Sequence, residues 1–522
     1  MKSLFILALA LQCSFAAAAT KHPISFQSFQ LLDEVNLMSS QIDPTACGTK
    51  CQSLKQEFRY VVYVGKQIYC YWDLKRTDTG SDFETLAKTL ENSITDSLSS
   101  SDYYKLLRRW ASAFHDGHVN VIAGADLSGL DIYTAPIRVE VLAPATDHEK
   151  VIVVGTSPNV NLAVGDEILT INGVPVAKAL SDASATASSG STERMRRFFA
   201  GKRLVDVIGT DEVTAPFVVT AKALNSDATK SVSLFRNVQI DLKPSTTPPT
   251  PPTGAEFITA QILPNAIGYL RIDAFQGSQD EYLLSEAMDR LANTQGLIID
   301  LRKNGGGDLS GDRIIERLIS SSVVRYKRSE RLSDFLFSLE PSFFDLTADA
   351  TGQFAVWHDL TVTPDTKSAY SKPVVALISP YCFSACDTFS AALKGNHLAT
   401  FVGEATGGGT GTPEAFDLPV SPYKFRYSVI RGETPNGDLI EGNGTSPDVV
   451  IEPTAADRAA NKDSQLEKAV AVLADKIKAN GGTIAPAAEF QVPAIWKQSL
   501  DISPTKVEND FLSSISEKDE RL

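Results

Sequence analysis

The run Pro373-Val374-Val375-Ala376-Leu377-Ile378 is short, apolar and β-branched, and Pro380-Tyr381-Cys382-Phe383-Ser384-Ala385-Cys386-Asp387-Thr388-Phe389 follows it closely. A bounded apolar run of this length reads as a buried strand. Beyond it, Phe389, Ala392 and Leu393 recur at helical spacing. A buried strand that hands over to a helix points to an α/β sheet. It also puts Ser384 at the handover, with its hydroxyl exposed at the end of the sheet. The first-turn N–H groups of the helix there favour a developing negative charge. On this stretch alone two roles stay open for Ser384, a nucleophile or a helix cap.

Residues 256–455 continue in the same pattern. Residues 266–272 read as a strand, 281–293 as an amphipathic helix, and 296–302 as a buried strand that runs into Asn304-Gly305-Gly306-Gly307. Three glycines at a strand end let the backbone approach a ligand closely, or form only a loop. Residues 328–366 hold Phe335, Phe337, Phe343, Phe344 and Phe354 and exceed a tight connection, so they read as a lid or specificity insertion. A Gly-rich loop spans Thr406 to Thr412, and a closing helix runs from an Asp463 cap to Asn480-Gly481.

Upstream, residues 20–125 read as mainly helical, with Leu86, Leu90, Ile94 and Leu98 on one period and a second helix from Tyr103 to Phe114. Gly117 reads as the stopper of that helix, so His118 lies at a helix–strand junction. Within a domain of residues 126–243, residues 130–242 alternate like strands, with an Asn172-Gly173 hairpin turn. Leu162 to Val176 resembles the corresponding stretch of PDZ domains, which bind extended peptides at a sheet edge or serve as scaffold. Residues 244–255 are a Pro-rich, semi-extended linker and the clearest domain boundary, and residues 456–522 form a C-terminal helix and tail.

A net charge of −14, with no Lys/Arg-rich block, argues against nucleic acid or an anionic membrane surface as partner. Lys2, the apolar run from Leu4 to Leu11 and Ala16-Ala17-Ala18-Ala19 read as a secretory signal over residues 1–19. The protein is therefore expected to be exported, to the periplasm or outside the cell, without membrane insertion. In an oxidising compartment, one disulfide is expected among Cys47, Cys51 and Cys70. Cys382 and Cys386 flank Ser384 and are expected to be buried free thiols. No metal or other cofactor is expected, because no histidines cluster near Cys47 and Cys51.

In order along the chain stand Asp116-Gly117-His118, the PDZ-like segment, residues 301–307 with their three glycines, Phe383-Ser384-Ala385-Cys386, Gly403-Glu404, and Gly444-Thr445-Ser446-Pro447-Asp448. This ordered set resembles the C-terminal-processing (tail-specific) serine peptidase family. The resemblance implies a multidomain α/β protein with a helical N-terminal domain, a PDZ-like β domain and a crotonase-like α/β peptidase core. In that family the nucleophile stands some nineteen residues before a Gly-Glu pair, and 403 − 384 = 19 selects Ser384. The common branch places a catalytic lysine twenty-five residues after the serine, but 384 + 25 = 409 is Gly409. The chain therefore looks more like the Ser–His–Glu branch, which implies His118 as base and Glu441 as the carboxylate that orients it. The oxyanion would be held by the N–H groups of Ala385 and Gly306 or Gly305. The resemblance implies protein or peptide substrates and suggests a homodimer. His115 competes with His118 as base and Cys386 with Ser384 as nucleophile. A non-catalytic binding protein with a retired peptidase core is the rival function.

Overall fold

Side chains alternate between two faces along a strand, and the apolar runs of this chain are long enough to be buried on both. Leu297 and Ile299 enter one core together with Val374, Ala376 and Ile378. Ile298, Val375 and Leu377 enter another, on the opposite face. These strands belong to a six-stranded sheet in the order Ile258–Leu263, Ile267–Ile272, Gly296–Asp300, Val374–Ile378, Thr400–Gly403, Val449–Val450. The first pair is antiparallel and every later neighbour is parallel. Helices Ser278–Leu291 and Ala385–Gly395 supply Leu284, Met288, Phe389 and Leu393 to the first core. Helix Ser464–Ala479 covers the other face with Leu466, Val470, Leu473 and Ile477. Asp463 caps that helix by accepting the Leu466 N–H, and the helix ends at Asn480, as its sequence signals predict.

This computed structural model describes residues 47–123, 132–187, 190–208, 213–240, 257–339, 342, 346–367 and 369–484. The signal segment, the 244–255 linker, Phe343, Phe344 and the tail beyond residue 484 lie outside the described residues. Among the described residues, no helix is long and apolar enough to cross a membrane.

The described residues fall into two units. The first draws on Met1–Leu130, Arg328–His358 and Gly411–Arg431. Its helices Thr49–Ile68, Trp72–Thr79, Phe83–Asn92 and Ser100–Ser112 bury Phe58, Phe83, Trp110 and Phe114. Phe83 stacks on Phe114 with ring centroids 4.5 Å apart, and Trp110 donates its indole N–H to the Tyr427 hydroxyl at 2.8 Å. An antiparallel sheet in the order Asn120–Ala123, Tyr423–Ser428, Pro413–Asp417 completes this unit's core. The helix before His118 ends at Ser112, and the left-handed residue that turns the chain out is His115, at φ 47°, rather than Gly117.

The second unit draws on Asp131–Lys327, Asp359–Thr410 and Gly432–Leu522. Besides the six-stranded sheet it holds an antiparallel sheet in the order Ile137–Leu142, Lys150–Thr156, Glu167–Ile171, Pro216–Lys222, Thr229–Phe235. Asn172 and Gly173 take φ 50° and 77° in a two-residue hairpin turn, the geometry that an Asn-Gly pair favours. Helix Glu193–Arg203 packs Ala200 against this sheet's core and is capped by Thr192, which accepts the Met195 N–H.

Candidate active site

In an open parallel sheet, ligands bind beyond the carboxyl ends of the strands. Gly296–Asp300, Val374–Ile378 and Thr400–Gly403 are adjacent and parallel, and each gives way to one of the segments picked out by sequence. These are residues 304–307, 380–384 and 406–410, and backbone hydrogen bonds stitch them together. Phe383 N–H donates to Asn304 O at 3.3 Å, Gly407 N–H to Cys382 O at 2.7 Å, and Ser384 N–H to Gly409 O at 3.1 Å.

Ser384 adopts φ 60° and ψ −120°, a conformation that residues with a side chain rarely take. Such a residue costs on the order of 1–3 kcal/mol and persists only where its surroundings over-determine it. It is half-buried and makes no side-chain cap bond to the helix it precedes. The capping role left open by the sequence is therefore not the one it fills. The turn also overturns the expectation of free thiols. Within it the Cα atoms of Cys382 and Cys386 lie 5.4 Å apart, and the two form a disulfide. Cys386 is thereby removed as a nucleophile. Cys47 pairs with Cys51, and Cys70 is buried outside both disulfides.

Gly306 sits against this turn at φ 109°. A Cβ added to it would lie 2.7 Å from Ser384 Cβ and 3.1 Å from Ala385 N, so the close approach requires glycine. Its N–H donates to the side chain of buried Asn304 at 2.9 Å. Ala385 opens the helix, where an N–H has no intrahelical acceptor. Gly409 stands where the Ser–Lys pattern would put lysine. A Cβ there would lie 1.9 Å from the Phe383 ring, so the position has no room for a side chain. Lys394 is held by Asp448 at 2.6 Å and by Ser446 O at 2.9 Å.

Glu441 is buried, and its Oε2 accepts the Thr410 N–H at 3.3 Å. The next residue, Gly442, takes φ 83° and donates its N–H to Gly408 O at 2.7 Å. Burial lowers the pKa of the nearby Arg196 guanidinium, while the charges of Glu193 and Glu441 act in the opposite direction.

His118 belongs to the first unit. It is buried, and burial pushes its pKa down to about 4, with Asp116 opposing and Arg426 reinforcing the shift. Its backbone N–H donates to Asp116 Oδ1 at 2.7 Å, and its Nδ1 lies 3.8 Å from the same oxygen. Asp116 Oδ2 accepts from Ser428 Oγ at 2.8 Å and from the Tyr69 hydroxyl at 3.1 Å. The structure thus brings Ser384, Ala385, Gly306 and the Glu441 loop together in the second unit, while His118 lies buried in the first. Sequence reading attached no role to Asp116, Asn304 or Asp387. Their signal was only a polar residue inside each motif.

Residues 266–451 match Peptidase family S41. The chain is 29% identical to the tricorn protease of Thermoplasma volcanium over 196 residues, 35% of this chain and 15% of that protein. It is 27% identical to a carboxyl-terminal-processing protease of Synechocystis sp. over 190 residues, 36% of this chain and 38% of that protein. The chain thus spans well under half the length of these curated relatives. Mature CPAF, solved in complex with lactacystin, shares the fold at TM-score 0.65 and 16% identity, over 82% of this chain and 99% of that one.

Proposed function

We propose that this chain, which carries a domain of peptidase family S41, is a serine endopeptidase that cleaves protein or peptide substrates with Ser384 as nucleophile, His118 as base and Glu441 as orienting carboxylate. The observation that carries the reading is Ser384 itself, strained and uncapped where a parallel strand meets a helix. A serine hydroxyl needs a base to attack a peptide carbonyl. His118 is neutral above its depressed pKa and so is able to accept that proton at neutral pH.

The Ser384 Oγ bonds to the carbonyl carbon as its proton passes to His118, and the carbonyl π electrons move onto oxygen. The Ala385 N–H and a second N–H from Gly305 or Gly306 hold that oxyanion, the Gly306 N–H being shared with Asn304. His118 then gives its proton to the departing amine as the C–N bond breaks. Water gives a proton to His118 as its oxygen bonds to the ester carbon; the C–Oγ bond then breaks and His118 returns the proton to Ser384 Oγ, releasing the acid. Glu441 accepts the other ring N–H of His118 and favours the imidazolium. Residues 126–243 would act as a PDZ-like module and residues 1–19 as an export signal.

A fluorophosphonate probe tests the reading. Wild type should label, and Ser384→Ala should not. An unlabelled wild type, or a labelled Ser384→Ala, sinks it.

A further inference from the structure

We propose that Asp387 is a positioning residue that holds the Ser384 turn and the Glu441 loop in one register, through the three-residue segment Gly408-Gly409-Thr410. The inference rests on the reading of Ser384 as nucleophile and Glu441 as orienting carboxylate.

Asp387 lies in the first turn of the Ala385–Gly395 helix and is fully buried. An acidic residue in that position commonly faces solvent and interacts only with its own helix end. This one reaches twenty-two residues along the chain, where its Oδ2 accepts the Gly409 N–H at 2.8 Å. The neighbouring Thr406 hydroxyl and the N–H groups of Gly408 and Ser384 favour its charged form. Burial nevertheless pushes its pKa up to about 7, and no lysine or arginine pairs with it among the described residues. A buried carboxyl that accepts a backbone N–H from a distant segment ties that segment to its own helix turn, here the one that begins at Ser384.

The tied segment faces both candidate catalytic groups. Gly409 O accepts the Ser384 N–H at 3.1 Å. One residue on, Thr410 N–H donates to Glu441 Oε2 at 3.3 Å, and one residue back, Gly408 O accepts the Gly442 N–H at 2.7 Å. Gly409 has no side chain of its own and no space for one, so its place is set through its backbone. The Asp387 carboxylate is the side chain that fixes the middle of this segment. Releasing it would let the nucleophile turn and the orienting carboxylate drift relative to each other, and displacements of about 1 Å at a reacting site cost on the order of 100-fold.

The test uses the full-length protein and its Asp387→Ala, Asp387→Asn, Ser384→Ala and Glu441→Gln variants. Folded fraction is taken from near-UV circular dichroism, and rates are normalised to it. Asp387→Ala should lower kcat by about 10- to 100-fold with KM within about threefold, and fluorophosphonate labelling should slow in parallel. Asp387→Asn keeps an acceptor for the Gly409 N–H and should recover kcat to about 3- to 10-fold below wild type. Combining Asp387→Asn with Glu441→Gln should cost less than the product of the single effects, because both act through one segment.

Wild-type kcat and labelling in folded Asp387→Ala overturn the proposal, as does an Asp387→Asn variant no faster than Asp387→Ala. If Asp387→Ala does not fold, Asp387→Asn decides: a loss of kcat of threefold or more at constant KM supports the tether, and an unchanged kcat refutes it. Labelled Ser384→Ala brings down the underlying assignment of the nucleophile. Silent Ser384→Ala beside Asp387 variants that match wild type brings down only this inference.

Discussion

The surroundings of Ser384 and of His118 are built in opposite ways. Ser384 sits on a turn whose parts are nearly contiguous in the chain: a strand, a disulfide between residues four apart and the first turn of a helix. His118 sits among groups gathered from far apart, with Asp116 held by Tyr69 and Ser428, and Arg426 nearby. One setting is made by local geometry, the other by tertiary packing. The contrast teaches where each is vulnerable. The serine's setting should respond to changes in a single turn, whereas the histidine's should respond to the aromatic core that carries it.

The two settings differ most in the chemistry each supplies. His118→Ala should lower kcat by about 10⁴- to 10⁶-fold, as removal of a triad base does elsewhere. A variant that keeps most of its activity would place the base outside the first unit and end the Ser–His–Glu assignment. Next in size is the orienting carboxylate. Glu441→Gln should cost about 10⁴-fold in kcat. Asp116→Asn should cost far less, because an amide still offers an acceptor for the backbone N–H of His118. The reverse ranking, read from kcat of the two purified variants, would make Asp116 the partner of the base.

Stability separates the two settings further. Trp110→Ala removes a fully buried indole and its bond to Tyr427, and should destabilise the protein by about 3–5 kcal/mol, read from denaturant unfolding. Acid and alkali then act on the two settings with opposite sign. The unfolded chain protonates His118 near pH 6.5, while the folded chain does so only near 4. Stability from this group is intact above about pH 6.5 and is lost as pH falls to about 4, by roughly 3 kcal/mol. Asp387 behaves in the reverse way. It ionises near 3.8 when unfolded and near 7 when folded, so stability from this group is lost as pH rises across that range. His118→Gln should flatten the acid slope of unfolding free energy and Asp387→Asn the slope toward neutrality. Unchanged slopes would show that neither group is buried as described.

The same contrast explains how much could be read from sequence. Strand 374–378, the helix after Ser384, the Asn172-Gly173 hairpin and the Asp463 cap are local patterns, and each stands where its residues put it. The positive φ of Ser384 was not legible, because serine carries no mark of it. The disulfide across it was not legible either, because the spacing of Cys382 and Cys386 alone does not tell a bonded pair from two thiols. Asp387 carries no role in the sequence because its partner, the Gly409 N–H, lies twenty-two residues away. The end of the helix before His118 was misplaced because glycine is the usual breaker, whereas here His115 takes the left-handed turn.

The smallest expected effect isolates what is special about the serine's turn. Cys47–Cys51 and Cys382–Cys386 both join residues four apart, so they close loops of equal length. On loop-closure entropy each contributes about 2 kcal/mol to stability. Replacing either pair by alanines should therefore lower the unfolding free energy by a similar amount. Only the second pair brackets Ser384, and the Cys382 carbonyl also accepts the Gly407 N–H that anchors the Gly-rich loop. Its double variant should lose several-fold in kcat at 25 °C where the protein remains folded, while the Cys47→Ala, Cys51→Ala variant keeps wild-type kcat. Equal kcat in the two variants would mean that backbone hydrogen bonds alone hold the strained turn. Unequal unfolding energies with equal kcat would place the second disulfide among the stabilising features of the fold and outside the site.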